Sequence, residues 1–299
     1  MMVLRGPALA IALLGSACAV DARGSPPAGN ADEASVARQG IIGGQPSEPG
    51  EFPATGMIVI GDSLICTATL IAPDVVLTAA HCLSKPIFGS YGFTLDTDGT
   101  DGADDVIPSS VWHQHPGFDA RVDEFVDLAV RNDVGVLLLD QPILDVTPEK
   151  IELPADGDLV APGTELSLVG YGRFVWHTGS LPLKRDAEVF VDRTDSHEFS
   201  TTAIDPQPCN GDSGGPLFAE TAKGRRIVGV VSRAMGNSQM CDTGAIITRV
   251  QSYNDWIYLA SHDHNTGGCN AAGGGGGAAI PFALLGLAGV IRRRRRGAR

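Results

Sequence analysis

The chain has 299 residues, which is enough for one large domain or two small ones, and its 43% hydrophobic and 19% charged residues are ordinary for a globular protein. The formal net charge is −13 at pH 7, so phosphate backbones repel the chain and nucleic acid is excluded as an expected partner. We interpret the acidity as a solubility feature of an exposed protein.

The N-terminal 19 residues have the three parts of a signal peptide. Arg5 supplies the positive start, residues 8–14 are apolar, and the residues around Cys18 match an A-x-A cleavage site. Cys18 has a second interpretation as the lipidated cysteine of a bacterial lipoprotein, because residues 14–18 resemble a lipobox with its leucine one place too far upstream. Both interpretations predict an exported chain. Residues 20–40 are small and polar, which predicts a propeptide or linker.

Residues 41–262 are predicted to form one folded domain of the all-β class. Short apolar runs broken by Gly, Pro, Asp and Asn have the length of strands. The predicted strands are 57–60, 64–71, 75–78, 134–139, 165–169, 189–191 and 227–232. A helical period occurs only at 250–259 and predicts one C-terminal helix. Such a chain favours barrels or sandwiches.

Four of the six cysteines lie inside this domain, whereas Cys18 and Cys269 belong to the terminal segments. An even number in an exported chain predicts two disulfides. Four cysteines allow three pairings, and their spacing does not choose among them. The four are Cys66, Cys82, Cys209 and Cys241.

The strongest catalytic signal is the string GDSGGP at 211–216. A serine between glycines sits on a tight turn where no Cβ blocks the approach of a substrate backbone. Such a turn can direct several backbone N–H groups at one point, which is what an oxyanion needs. A lone G-x-S-x-G fits many hydrolases, so the interpretation depends on what accompanies it.

Other strings accompany this serine. They are IIGG at 41–44, LTAAHC at 77–82, NDVGVLL at 132–138 and GYG at 170–172. Together these strings resemble the trypsin/chymotrypsin-like serine peptidases, over roughly residues 41–260 and in the family's order of His, Asp and Ser. The resemblance implies two six-stranded antiparallel β-barrels with the active site between them.

The resemblance also implies the roles in the site. His81, Asp133 and Ser213 would form the catalytic triad, with the N–H groups of Gly211 and Ser213 as the oxyanion hole. Asp127 is an alternative acid, but it lacks the apolar strand that follows Asp133. The implied disulfides are Cys66–Cys82 and Cys209–Cys241. The function implied is a secreted or surface-displayed serine endopeptidase that acts on proteins or peptides. Its rival is a catalytically silent binding module, and the complete triad favours the enzyme.

In such enzymes a zymogen is cut to give a new N-terminal amine, which pairs with the aspartate before the serine. Here that pair would be Ile41 and Asp212. The residue before the cut is Gly40, with Arg38 two places too early for tryptic activation. We therefore expect another activating protease or a non-tryptic self-cleavage.

The primary specificity pocket is expected to exclude basic residues. The residue six before the serine, which forms the pocket floor in the family, is Gln207, and the walls are expected from Ser232, Ala234 and Ala245. A neutral amide does not repay the desolvation of a buried cation. We predict small or medium uncharged residues before the scissile bond, with Asp242 as a residue that would restore a basic preference if it reached the pocket.

No cofactor is expected, although calcium stays open. The acidic run at 96–101 lies where related enzymes carry a calcium loop but fails the EF-hand spacing, so a solvated loop is the alternative. The histidine pairs at 113/115 and 262/264 lack a clear third ligand and are interpreted as surface histidines.

The C-terminal residues 263–299 are predicted to be a linker and a sorting or anchor tail. A Gly-rich stretch containing Cys269 is followed by apolar residues 278–291 and then by an arginine run. This order resembles the myxobacterial C-terminal sorting tail (MYXO-CTERM), which implies processing and display at a bacterial surface. The alternative is a simple membrane anchor, because an apolar stretch before arginines is a stop-transfer pattern.

Overall fold

The described part of the protein, in a computed structural model, comprises residues 41–61, 63–84, 90–97, 105–122, 128–172, 183–203, 206–236 and 241–265. These residues belong to one compact unit and consist mostly of antiparallel β-strands in two sheets of seven. A short first strand, β1 (Gln45–Pro46), adds to the edge of the second sheet by pairing with Arg185 and Asp186.

The first sheet forms a nearly closed barrel in the order β6-β5-β2-β3-β4-β8-β7. Its strands are β2 (Thr55–Ile60), β3 (Ser63–Ala72), β4 (Val75–Thr78), β5 (Tyr91–Thr94), β6 (Ile107–Ser109), β7 (Val111–Gln114) and β8 (Gly135–Leu138). Only Ser110 separates β6 from β7, so these two strands are the halves of one bent strand and the barrel has six in effect.

The second sheet closes completely. Its order is β1-β10-β11-β14-β13-β12-β9, and β9 also pairs with β10, so six strands form a ring to which β1 is added. Its strands after β1 are β9 (Glu165–Gly170), β10 (Arg185–Thr194), β11 (Glu198–Thr201), β12 (Pro216–Ala219), β13 (Arg226–Ala234) and β14 (Ala245–Arg249). Two six-stranded barrels are therefore confirmed.

The C-terminal helix is shorter than its sequence pattern predicts. A 3₁₀ turn occupies Val250–Tyr253, and the α-helix α1 spans Asn254–Ala260. Two further 3₁₀ turns lie at Ala80–Leu83 and Pro154–Asp156. Ile257 and Ala260 of α1 are buried with residues of the first barrel. Within the described ranges, no helix has both the length and the hydropathy needed to cross a bilayer.

An aromatic contact joins the two barrels. The ring of Phe52, which precedes β2, stacks on that of Phe218 in β12 with centroids 5.4 Å apart. The guanidinium of Arg225 lies over both rings, 4.5 and 4.8 Å from their centroids, and contacts Glu149 in an ion pair. Stacking and cation–π contacts of this kind hold the two barrels together along their interface, which we call the seam.

The predicted strands all occur, and the missed strands are short, with two to five residues each. Residues of β4 and β8 are buried throughout, so these strands show continuous apolar runs that a sequence reveals. By contrast, β11 reads Glu-Phe-Ser-Thr and is equally buried. Its polar side chains are buried because distant residues satisfy them, and no local pattern indicates that.

Candidate active site

The turn that carries Ser213 is held from both barrels. The Ser213 carbonyl accepts the N–H of Thr67 on β3 at 2.9 Å, and the N–H of Gly214 donates to Val231 on β13 at 2.8 Å. Gly211 has a φ of 97°. A side chain at Gly214, whose φ is 80°, would place its Cβ 2.1 Å from Thr78 Oγ1. Only glycine permits this close contact between the turn and the first barrel.

Two backbone donors of this turn have no acceptor among the described residues. Within the described residues, neither the N–H of Gly211 nor that of Ser213 donates to a protein acceptor. The Gly211 carbonyl instead accepts the hydroxyl of Thr67 at 3.0 Å. Two free N–H groups beside a serine hydroxyl are the geometry that binds an oxyanion.

His81 and Asp133 form a direct pair through two hydrogen bonds. Nδ1 of His81 lies 2.7 Å from Oδ2 of Asp133, and the backbone N–H of His81 donates to Oδ1 at 2.9 Å. His81 lies in the 3₁₀ turn after β4, and Asp133 lies just before β8, which pairs with β4. Neighbouring strands therefore bring together two residues that are 52 positions apart in the chain.

Ser213 and His81 meet at the disulfide sulfur of Cys82. Its Sγ lies 3.7 Å from Nε2 of His81 and 3.7 Å from the carbonyl oxygen of Ser213. The described residues contain no hydrogen bond between the Ser213 hydroxyl and His81. Catalytic hydrogen bonds of this kind are often long before substrate binds. The sequence-predicted triad residues are thus neighbours across the seam.

The Asp133 carboxylate is fully buried and densely bonded. Burial alone would raise its pKa, but the charge of His81 and hydrogen bonds from His81 and Ser232 lower the pKa below the ordinary value. The Ser232 hydroxyl donates to Oδ2 at 2.7 Å, and the Thr248 hydroxyl donates to the Asp133 carbonyl at 3.0 Å. An ionised Asp133 is what orients a histidine as a base.

Asp212 is the second buried carboxylate of the site. It accepts backbone N–H groups from Ile41 at 2.9 Å, Cys209 at 2.8 Å and Gly172 at 2.8 Å. Burial nevertheless raises the pKa of Asp212 to about 6. A Cβ on Gly170 would lie 2.1 Å from its Oδ1, so glycine is required there too.

The residues expected in the primary pocket lie in strands and segments of the second barrel. Gln207 is buried, its backbone pairs with Ile42, and its amide donates to the Thr202 carbonyl. Ala234 and Ala245 face each other across β13 and β14. Ser232, which is expected in a pocket wall, donates its hydroxyl to Asp133.

The structure joins Cys66 to Cys82 and Cys209 to Cys241, the pairing that the family resemblance implies. The first bond ties β3 to the turn of His81, and the second ties the serine turn to the segment before β14. Cys66, His81 and Cys82 place ligand atoms near one another, but the two sulfurs are joined in a disulfide and are not thiolates. Two disulfides fit an extracellular protein.

The structure gives contacts for three of the histidines that the sequence analysis weighed as metal ligands. His113 Nε2 contacts the Asp263 carbonyl oxygen at 2.7 Å, and the ring of His115 packs against the rings of Tyr253 and Trp256. His262 contacts the carbonyl oxygen of Tyr258 at 2.7 Å. Asp127 and residues 98–101 of the possible calcium loop lie outside the described residues.

Two β-barrels with a buried aspartate–histidine pair and a serine turn between them define a serine-type endopeptidase. The trypsin family model matches residues 41–257, and the chain belongs to this family. It is 26% identical to chymotrypsin-C of Rattus norvegicus, with 73% of this chain and 87% of that protein covered. Granzyme M of Homo sapiens is 30% identical with the same coverages, and brachyurin of Leptuca pugilator is 28% identical with 73% and 96% covered.

Two buried charged residues near the triad, Arg131 and Glu198, escaped the sequence analysis as functional candidates. Arg131 lies 3.7 Å from Asp133, and Glu198 forms an ion pair with Arg233 of the expected pocket wall. Only the position of Arg131, two residues before Asp133, could have indicated a role from the sequence. Charged residues are usually exposed, so the sequence alone favours a solvated interpretation of each.

Proposed function

We propose that the enzyme cleaves peptide bonds through His81, Asp133 and Ser213. Ser213 Oγ bonds to the scissile carbonyl carbon while His81 takes its proton. The C–N bond then breaks, His81 gives the proton to the leaving amine, and water hydrolyses the acyl-enzyme by the same route. Asp133 keeps the imidazole in the tautomer that accepts at Nε2. The His81–Asp133 hydrogen bond of 2.7 Å is the observation that carries this assignment.

The N–H groups of Gly211 and Ser213 are proposed to stabilise the tetrahedral intermediate. Their lack of protein acceptors within the described chain supports this role. Removing one such donor in an acyl-transfer enzyme costs about 10²–10³-fold in kcat. The reaction needs no cofactor, because every proton and bond is handled by these residues. We expect a chelator to leave kcat unchanged, and a loss of activity that calcium restores would show instead that an ion supports the fold.

A phosphonylating active-site probe tests the triad. The processed enzyme should be labelled on Ser213, whereas Ser213→Ala should be neither labelled nor active. Thr221→Ala, at a turn remote from the site, is the matched control and should be labelled like the parent. Labelling of the Ser213→Ala protein would show that the nucleophile is another residue.

The enzyme is proposed to be made as a zymogen cut between Gly40 and Ile41. The Ile41 nitrogen already lies 2.9 Å from Asp212, where an ammonium group would make a buried ion pair. N-terminal sequencing of active enzyme should begin at Ile41, and activity in a protein that begins at Gln39 or remains uncut would contradict the proposal.

The enzyme is further proposed to be exported and displayed at a bacterial surface. Residues 1–19 would act as the signal peptide, residues 20–40 as the propeptide, and residues 263–299 as the sorting tail or membrane anchor. Both disulfides support an oxidising destination. Mass spectrometry of the mature protein tests this, since processing should remove residues 1–19 and modify or cleave the chain near Cys269. A mature protein that retains both ends unmodified would refute it.

A further inference from the structure

Asp133 has a buried arginine beside it. Nη1 of Arg131 lies 3.7 Å from Asp133 Oδ2, and the two side chains are 7% and 0% exposed. The guanidinium also lies over the ring of Phe118, 5.5 Å from its centroid. Its Nε is buried and has no hydrogen-bond partner among the described residues. Among the described residues, Arg131 has no closer ion pair, so its charge is directed toward the triad carboxylate.

The groups around this contact do not cancel its effect. On β13 Ser232 is neutral, and Arg233 beyond it is neutralised by Glu198 of β11. Burial raises the pKa of Tyr253 above its usual value, so the phenol is uncharged. Asp119, across the loop, is exposed and bonds mainly to Arg121. The other described neighbours are Asn132, which accepts a hydrogen bond from the Tyr253 hydroxyl, and His115, whose pKa is lowered by burial. Asp123, Glu124 and Asp127, which precede Arg131 in the chain, lie outside the described residues.

Arg131 and His81 share one carboxylate oxygen. Oδ2 of Asp133 accepts from Nδ1 of His81 at 2.7 Å and faces Nη1 of Arg131. A protonated imidazole is attracted by Asp133 and repelled by the guanidinium, and burial weakens solvent screening of both effects. The proton-accepting form of His81 is thus favoured over what Asp133 alone would give.

We infer that Arg131 is a positioning residue that acts through Asp133 to keep His81 available as a base at lower pH. The inference rests on the proposed triad. It predicts that loss of the Arg131 charge moves the acid limb of the pH profile of kcat/KM. The plateau value at higher pH should stay unchanged.

The test uses activated full-length enzyme and a peptide substrate between pH 5 and 9. In Arg131→Met the acid limb should move up by about one pH unit, so that kcat/KM below the limb falls about tenfold. Arg131→Lys keeps the charge and should restore the parent limb. Arg121→Met removes an exposed arginine from the same loop and should leave the limb unmoved. Titration of active sites with the probe corrects for unfolded protein.

The outcomes separate this inference from the proposed triad. If Ser213→Ala stays active, the triad assignment is wrong. If Ser213→Ala is inactive but Arg131→Met lowers the whole profile evenly, Arg131 has only a structural role and the inference is overturned. Arg131→Gln is the second neutral variant, for use if Arg131→Met does not fold, and its limb must move in the same direction.

Discussion

Arg233 and Glu198 form a bidentate ion pair that is almost completely buried beside the active site. Nη1 lies 2.8 Å from Oε1 and Nη2 lies 2.8 Å from Oε2, with side chains 3% and 0% exposed. Oε2 of Glu198 also accepts the N–H of Ala129 at 2.9 Å. The pair thereby joins β11 and β13 to the segment that leads to Asp133.

Breaking this pair from one side should be far more damaging than replacing it. Glu198→Leu leaves a buried guanidinium without its partner and should cost about 3–5 kcal/mol of unfolding free energy. Leucine at both positions should recover most of that loss, because an apolar pair carries no uncompensated charge. Denaturant unfolding in the Ser213→Ala background, where self-digestion is absent, measures both.

The exposed pair of Arg193 and Asp192 is the matched control for this experiment. Asp192→Asn should cost less than about 1 kcal/mol, since solvent screens the charges. Equal losses for Asp192→Asn and Glu198→Leu would contradict the importance assigned to burial.

Glu152 should make the protein less stable as the pH rises toward neutrality. It is buried beside Gln251, and burial raises its pKa to about 7. A carboxyl whose folded pKa exceeds its unfolded pKa stabilises the fold below the unfolded value and loses that stabilisation as the pH rises through the folded value. Between about pH 4.5 and 7 the parent should therefore lose about 1–3 kcal/mol more than Glu152→Gln. Urea unfolding at pH 5 and pH 8 measures this, with the exposed Glu165→Gln as control.

Reduction of the disulfides should inactivate the enzyme. Removing a native disulfide typically costs about 2–5 kcal/mol in small secreted domains, and here one bond adjoins His81 and the other holds the serine turn. Separate double-alanine variants, Cys66→Ala with Cys82→Ala and Cys209→Ala with Cys241→Ala, should each lower both the melting temperature and kcat. A fully reduced protein with unchanged kcat would refute this prediction.

The enzyme should prefer small or medium uncharged residues before the scissile bond. In this prediction Gln207 is the pocket floor and Ala234 and Ala245 are wall residues, as the family resemblance implies. A buried Gln207 amide would not compensate a guanidinium, and two facing methyl groups would narrow the space for large rings. A methylene-scale difference is worth only about 1–3 kcal/mol, so the expected discrimination is a preference. Hydrolysis rates on matched peptides with Arg, Leu or Ala at this position measure it. A dominant Arg rate that Asp242→Asn abolishes would show that Asp242 reaches the pocket.

The parts of the site that the sequence predicted are those with local chemical signatures. Ser213 is surrounded by glycines that only a tight turn requires, and His81 and Asp133 each adjoin a fully buried, mostly apolar strand. Such strands are recognisable because both faces are buried. Their order along the chain was enough to name the family, and the family implied the two barrels that the structure contains.

By itself, then, the sequence determined the class of enzyme, and it predicted the residues that we propose carry the chemistry. Tertiary structure alone decided that Ser232 bonds Asp133, that Glu198 pairs with Arg233 and that Arg131 faces the triad. A charged residue looks the same in the sequence whether water or a partner satisfies it. Its partner is set by strands that pair across long stretches of chain, such as β11 with β14, and local pattern carries no record of that pairing.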